Sequence, residues 1–292
     1  MKVVVTGANG QVGQELCARI TALGWQLIAL DVAGLDITDE QAVSELLLKE
    51  SPNLVINAAA YTAVDKAEEQ VDLAYAVNES GSINLAKATA TLNIPLLHIS
   101  TDYVFEGNKE GVYQETDVTG PTGVYGKSKL AGDVALAKLN SQHIILRTAW
   151  VFGQQGNNFV KTMLKLADRE ELGVVADQYG SPTYAGDIAA ALLTIAEKVQ
   201  AGERIAWGVY HFTGLPYVNW AEFAEYIFEQ AKAQKLLTDT PKVNHITTAD
   251  YPTPATRPAN SKLACGKIQQ AFGIEASDWQ AALLTLHKYQ IH

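Results

Sequence analysis

The first thirteen residues constrain this chain most. Val3, Val4 and Val5 form a short run of β-branched apolar residues, the pattern of a strand buried on both faces. Glycines follow at positions 7, 10 and 13, and then Val12, Leu16, Ile20 and Leu23 recur at roughly helical spacing up to Gly24, a C-cap residue. Strand, glycine-rich turn and helix make the setting in which backbone N–H groups and a helix N-terminus can hold a pyrophosphate. The spacing is G-x-x-G-x-x-G rather than G-x-G-x-x-G, and a tight strand-to-helix turn that binds nothing would read the same way. The next run changes the balance. Gln26 to Leu30 is largely apolar and ends in Asp31, eighteen residues after Gly13, where a carboxylate can meet an adenosine ribose hydroxyl.

The alternation continues. A capping box, Thr38 with Gln41, is expected to open a helix through Val43, Leu46 and Leu47. Leu54–Ile56 and Leu96–Ser100 read as strands, with a mostly helical, interrupted stretch from Asp65 to Asn93 between them. Residues 107–123 form a loop over the sheet edge. A helix then runs from Tyr125 through Leu139, and Ile144–Leu146 is a further strand. Strand and helix alternate from residue 2 to about 148, which predicts an α/β fold with a doubly wound, Rossmann-like parallel sheet. Beyond residue 150 the rhythm loosens. Helices are expected at 157–169 and 184–199, a short strand at 209–213, a helix start at Asn219 with Glu222, and two terminal helices. The expected organisation is a dinucleotide-binding domain at 1–150. Residues 151–292 then form a smaller, mainly substrate-binding portion interleaved with it.

Composition narrows the classes. The net charge of −10 and pI near 5.1 disfavour nucleic acid and anionic membranes as partners. Two cysteines, Cys17 and Cys265, suggest neither a disulfide framework nor a metal site. No apolar run reaches membrane-spanning length, and the first strand starts at residue 2, so a cytoplasmic location without a signal peptide is expected.

Tyr125 and Lys129 lie four residues apart at a helix start and share one face. A nearby ammonium lowers a tyrosine's pKa, so this pair could deliver a proton to an oxygen whose carbon receives a hydride. Thr101, at the end of the preceding strand, could hydrogen-bond the same oxygen. An aromatic at a helix start beside a solvated lysine would give the same spacing. His98, inside its strand, reads as a packed core residue. Asp36 and Ile37 could flank an adenine or simply lead into a helix. Trp150, at a strand's C-terminal end, could stack on a sugar or pack in the core.

Together these stretches resemble the extended short-chain dehydrogenase/reductase family, and among its nucleotide-sugar members the branch that makes dTDP-L-rhamnose. The resemblance rests on Thr6 to Gly13, Asn57 to Ala60 with Thr62 to Glu68, Ser100 to Phe105, Tyr125 to Leu130, Arg147 to Val151, Gly156 to Phe159, Asp177 to Thr183 and Pro252 to Ser261. It implies reduction by NADH or NADPH of the C4 ketone of dTDP-6-deoxy-L-lyxo-4-hexulose to dTDP-L-rhamnose. It implies that Gly7, Gly10, Gln11, Val12 and Gly13 hold the pyrophosphate, Asp31 the ribose, and Asp36 and Ile37 the adenine. Ala60, Tyr61 and Thr62 would line the cofactor, with Tyr125 and Lys129 on the nicotinamide ribose. Thr101 and Asp102 would contact the sugar, Trp150 would close over it, and Arg257 and Asn260 would hold the nucleotide. Catalysis would fall to Thr101, Tyr125 and Lys129.

Dehydratases of this family carry a glutamate after Thr-Asp; Tyr103 stands there instead, which favours reduction over elimination. Some members also bind magnesium through glutamates at a dimer contact. Glu15 matches one such position, but Gly186 stands where another glutamate is expected, so magnesium is an open expectation with no ligands assigned, as is a homodimer. Two alternatives remain: a non-catalytic nucleotide-binding regulatory subunit of the same fold, as in the regulatory partner of methionine adenosyltransferase, or another nucleotide-sugar 4-ketoreductase. An epimerase that retains its cofactor is a further reading.

Overall fold

The computed structural model describes residues 1–289; the last three residues of the expected second portion, 290–292, lie outside the described residues. The chain begins β1 (Lys2–Thr6), α1 (Gln11–Ala22), β2 (Gln26–Leu30), α2 (Glu40–Glu50) and β3 (Leu54–Asn57). A broken helical stretch follows: α3 (Val64–Ala67), α4 (Val71–Tyr75), a π turn at Ala76–Ser80 and α5 (Gly81–Thr91). Then come β4 (Leu96–Thr101), a 3-10 turn at Asp102–Val104, α6 (Val124–Leu139) and β5 (His143–Thr148).

The second half contains β6 (Val151–Phe152), α7 (Phe159–Lys165), β7 (Glu171–Val175), β8 (Tyr179–Gly180), β9 (Thr183–Tyr184) and α8 (Ala185–Gln200). These lead to β10 (Gly208–His211), β11 (Val218–Asn219), α9 (Trp220–Ala233), β12 (Lys242–Ile246), α10 (Gly266–Phe272) and α11 (Trp279–Ala282).

Six strands form one sheet in the order β10-β5-β4-β3-β1-β2, and every neighbouring pair is parallel. The chain leaves β1 first toward β2 and then returns to its other side as β3. That reversal opens a crevice at the C-terminal ends of β1 and β3, where ligands bind in open α/β sheets. One face of the sheet packs on α1, α8 and α10 through Leu16, Ile20, Ile188, Leu192 and Ile268. The other packs on α2, α5 and α6 through Val43, Leu47, Leu85 and Leu136. A separate core gathers α7, α9 and α11 around Phe152, Phe223, Phe228 and Trp279.

Three expectations change. The short strand after residue 208 belongs to the main sheet, paired with β5, so the second half completes the first half's sheet. Helix α2 is capped by Asp39, whose carboxylate accepts from Ala42 N. Thr38 does not cap it, because its hydroxyl donates to Asp36 Oδ1 and Gln41 reaches Glu45. The parallel pair β7–β12 was not expected at all. Both are five-residue strands in a two-stranded sheet, too short and too mixed in polarity to stand out from loop.

Candidate active site

A cavity of about 850 Å3 opens along the C-terminal edge of the sheet. The strands deliver its floor and the loops after them its walls. Gly7, Gly10, Gln11, Val12, Gly13, Asp31, Asp36, Ile37, Ala60, Tyr61, Thr62, Thr101, Asp102, Tyr125, Lys129 and Trp150 all line it. Two residues read for the nucleotide do not. Asn260 spends its amide on the backbone oxygens of Lys109 and Gly111, and Arg257 pairs with Asp65 at 2.6 Å.

The glycine turn is shaped for close approach. Gly7 has φ +67, and a Cβ there would lie 2.5 Å from Ala59 N. A Cβ on Gly13 would lie 2.1 Å from Gly7 O. The turn can therefore fold only without side chains, bringing the start of α1 against β1 and β3. Gly10 occupies the N-cap and no side chain caps the helix, so its first N–H groups are free for an anion. That donor set fits a dinucleotide pyrophosphate. Asp31 stands at the end of β2 with Oδ1 accepting from Ala33 N and Gly34 N and Oδ2 from Asn9 Nδ2. Asn9 also lines the cavity and was not singled out from sequence.

At the far end Tyr125 sits on the first turn of α6, whose N-cap is Gly123. Burial pushes its hydroxyl well above the usual tyrosine range, with Thr101 pulling the other way. Tyr103 packs edge-on against the Tyr125 ring at 5.4 Å. Thr101 is buried; its hydroxyl donates to Asp102 Oδ1 at 3.0 Å. Burial raises the Asp102 carboxyl to about 6, and its Oδ2 has no protein partner. Lys129 is 1% exposed, and burial lowers it to about 8. Its Nζ donates to Ile99 O at 2.8 Å and lies 3.1 Å from His98 Nε2. Behind it is a buried polar chain of Thr6, Asn57, His98, Asp133 and Ser100. His98 is a core residue, as its place inside a strand suggested, but it is hydrogen-bonded to the site's lysine. No spacing rule finds this chain, because its members come from β1, β3, β4 and α6.

Trp150 has φ +48, a strained backbone for a bulky residue. Its ring stacks on Trp220 at 3.6 Å and 12°, and a Cβ on Gly180 would lie 2.5 Å from it. The ring is therefore wedged between α9 and β8 and forms a fixed wall of the cavity.

The magnesium expectation meets a site of different chemistry. Glu15 pairs with Arg19 at 3.6 Å, and a Cβ on Gly186 would lie 2.4 Å from the Tyr184 ring. Among the described residues no three His, Cys, Asp or Glu side chains gather to hold a metal ion. Both cysteines are free. No helix among the described residues is long and apolar enough to cross a membrane.

Comparison with known proteins agrees with this architecture. A family model described as the RmlD substrate binding domain matches residues 1–290. The chain is 54% identical over 290 residues to a dTDP-4-dehydrorhamnose reductase of Aggregatibacter actinomycetemcomitans, covering 99% of both. A crystal structure of a dTDP-4-dehydrorhamnose reductase from Clostridium acetobutylicum superposes with a TM-score of 0.90 at 39% identity, covering 97% of each chain. A Bacillus anthracis dTDP-4-dehydrorhamnose reductase, solved in complex with NADP, gives 0.89 at 35% identity, covering 97% of this chain and 98% of that one. From its glycine turn to its cavity-lining tyrosine and lysine, the chain belongs to the dTDP-4-dehydrorhamnose reductase family.

Proposed function

We propose that this protein reduces the C4 ketone of dTDP-6-deoxy-L-lyxo-4-hexulose to dTDP-L-rhamnose with NADH or NADPH. The observation that carries the reading is one continuous cavity with the uncapped glycine turn and Asp31 at one end and Thr101, Tyr125 and Lys129 at the other. Residues 1–150 chiefly hold the dinucleotide. Residues 151–292 chiefly hold the sugar nucleotide while lending β10 and α8 to the first portion. Arg257 and Asn260 act from outside the cavity wall, Asn260 by fixing the loop at Lys109 and Gly111.

The backbone N–H groups at Gln11 and Val12 hold the pyrophosphate, Gly10, whose own N–H donates to Gly7 O, lets it approach, and Asp31 takes the ribose hydroxyls. Asp36 and Ile37 flank the adenine, and Ala60, Tyr61 and Thr62 line the cofactor. A bound reduced nicotinamide supplies the hydride that the ketone carbon needs. Tyr125 donates its proton to the oxygen as negative charge develops there. Thr101, turning its hydroxyl from Asp102 Oδ1, donates to that oxygen and steadies the charge. Asp102 contacts the sugar from the cavity lining, and Trp150 walls the ring. Tyr103 leaves no carboxyl acid in the position that elimination requires. These steps are assigned to side chains of the cavity, and among the described residues Glu15 pairs with Arg19 rather than joining a cluster of metal ligands. The reading places the enzyme in the cytoplasm, where nucleotide sugars are made, without nucleic-acid or membrane partners; a homodimer is compatible with it.

The test is to incubate the protein with this ketone and reduced cofactor and identify the sugar. The L-rhamno product is expected. The 6-deoxy-L-talo epimer would keep the chemistry and refute the assigned pose.

A further inference from the structure

The buried chain behind Lys129 fixes more than its position. Asn57 Oδ1 accepts from Ala59 N at 3.1 Å and from Thr6 Oγ1 at 2.7 Å. A backbone N–H can only donate, so the amide orientation is set, and Asn57 Nδ2 points at His98 Nδ1, 2.9 Å away. His98 Nδ1 must therefore accept, and in the neutral ring the proton sits on Nε2. Nε2 faces two atoms: Asp133 Oδ1 at 3.4 Å and Lys129 Nζ at 3.1 Å. An N–H in this place offers nothing to an ammonium, whose nitrogen can only donate. It does offer a hydrogen bond to a neutral amine, which keeps a lone pair.

We propose that His98 is a positioning residue for Lys129: fixed by Asn57 as the Nε2–H tautomer, it stabilises the neutral amine, so that Lys129 carries a proton as well as a charge.

The other groups around Lys129 bear on the balance. Asp133, on the same helix, favours the ammonium. Its Oδ2 accepts from Ser100 at 2.6 Å and lies 3.8 Å from Arg147 on β5, while Oδ1, the oxygen that faces His98 at 3.4 Å, makes no hydrogen bond among the described residues. From β4 and the turn after it come His98, held neutral by burial with a pKa near 4, and Asp102. Tyr125 lies one turn earlier on α6 and Tyr103 against it; His143 on β5 acts on His98. Burial opposes the ammonium and Asp133 supports it, and the balance brings the lysine down to about 8 from ~10.4; the Nε2–H of His98 would act in the same sense as burial. Its catalytic meaning rests on the roles given above to Tyr125 and Lys129. A lysine that crosses between ammonium and amine near neutral pH can return a proton to the site after each turnover as well as tune the tyrosine.

The test uses the isotopically labelled full chain. Nitrogen-15 NMR of the histidine rings reads the His98 tautomer, and the Lys129 side-chain carbon signal, assigned by its loss in Lys129→Met, reads its titration. The unsubstituted protein should show Nε2–H at His98 and a Lys129 midpoint at least one pH unit below an ordinary lysine. In Asn57→Asp the carboxylate accepts from Nδ1–H, the tautomer switches, and the Lys129 midpoint should rise by a unit or more. Asn57→Leu adds no charge and should also raise it, by a smaller step. An Nδ1–H tautomer in the unsubstituted protein would overturn the proposal without need of any variant. So would a tautomer switch that leaves Lys129 unmoved, or a rise confined to Asn57→Asp, which would mark the carboxylate's charge as the sole cause. None of these signals requires turnover, so failure of the proposed reaction and failure of this inference are separable.

Discussion

Tyr125 meets two opposing influences. Burial opposes tyrosinate and holds the hydroxyl protonated, the form that the proposed mechanism needs as donor. The Thr101 hydroxyl pulls the other way, and in the proposed mechanism Lys129, enclosed and anchored to Ile99 O, adds its charge to that pull. Removing only the hydroxyl should leave the cavity intact. Tyr125→Phe is therefore expected to keep cofactor affinity and lose about 10²–10⁴-fold in kcat, the usual scale for a positioned acid. Cofactor titration alongside steady-state rates checks both halves, and near-normal kcat would remove Tyr125 from the mechanism. The Tyr125–Lys129 pair was legible in the sequence because both residues sit on one helix, where spacing fixes geometry. The His98–Asn57–Thr6 chain behind it was not, because its members lie 41 and 51 residues apart and meet only when parallel strands align β1, β3 and β4.

The elements that were read correctly are those with a strong local signal. An all-apolar run gives a strand buried on both faces, and a glycine turn followed by helical spacing gives β1-turn-α1. Misread elements lacked one. The residue that caps α2 is decided by where the Asp36 side chain captures the Thr38 hydroxyl. The place of β10 in the main sheet depends on β5, some sixty residues earlier. Trp150 was legible as a wall residue but not as a fixed one, because Trp220 and Gly180 reach it from other elements. Cofactor choice belongs to this scale too. The end of β2 presents Asp31, which repels a 2′-phosphate, and among the described residues Lys129 is the only cation that lines the cavity. NADH is expected to serve at least as well as NADPH, although the Bacillus anthracis relative was solved with NADP. The ratio of kcat/KM for the two cofactors decides it, and a strong preference for NADPH would contradict this account of the β2 edge.

Across the whole molecule, the buried ionisable groups tie stability to pH. Burial lowers His98 to about 4 and His211 to about 3, so the unfolded chain binds more protons than the folded one below about 6.5. Their contribution is complete above that pH and fades as pH falls through the folded values. Asp102, raised to about 6 by burial, acts in the opposite sense, binding its proton in the folded state from about 6 down to about 3.9. Two histidines outweigh one carboxyl, so the midpoint of denaturant unfolding should fall between pH 6.5 and pH 4; a flat or rising midpoint would contradict the buried, neutral histidines. The central claim, however, is that one cavity joins a dinucleotide to a 4-keto sugar nucleotide and moves a hydride between them. Its most direct test is the absorbance of reduced cofactor when the protein meets dTDP-6-deoxy-L-lyxo-4-hexulose and NADH. The account predicts consumption that depends on both protein and ketone, with one cofactor oxidised per sugar reduced. No consumption, with the ketone and the cofactor both bound, would contradict it and leave a nucleotide-binding subunit on a reductase fold.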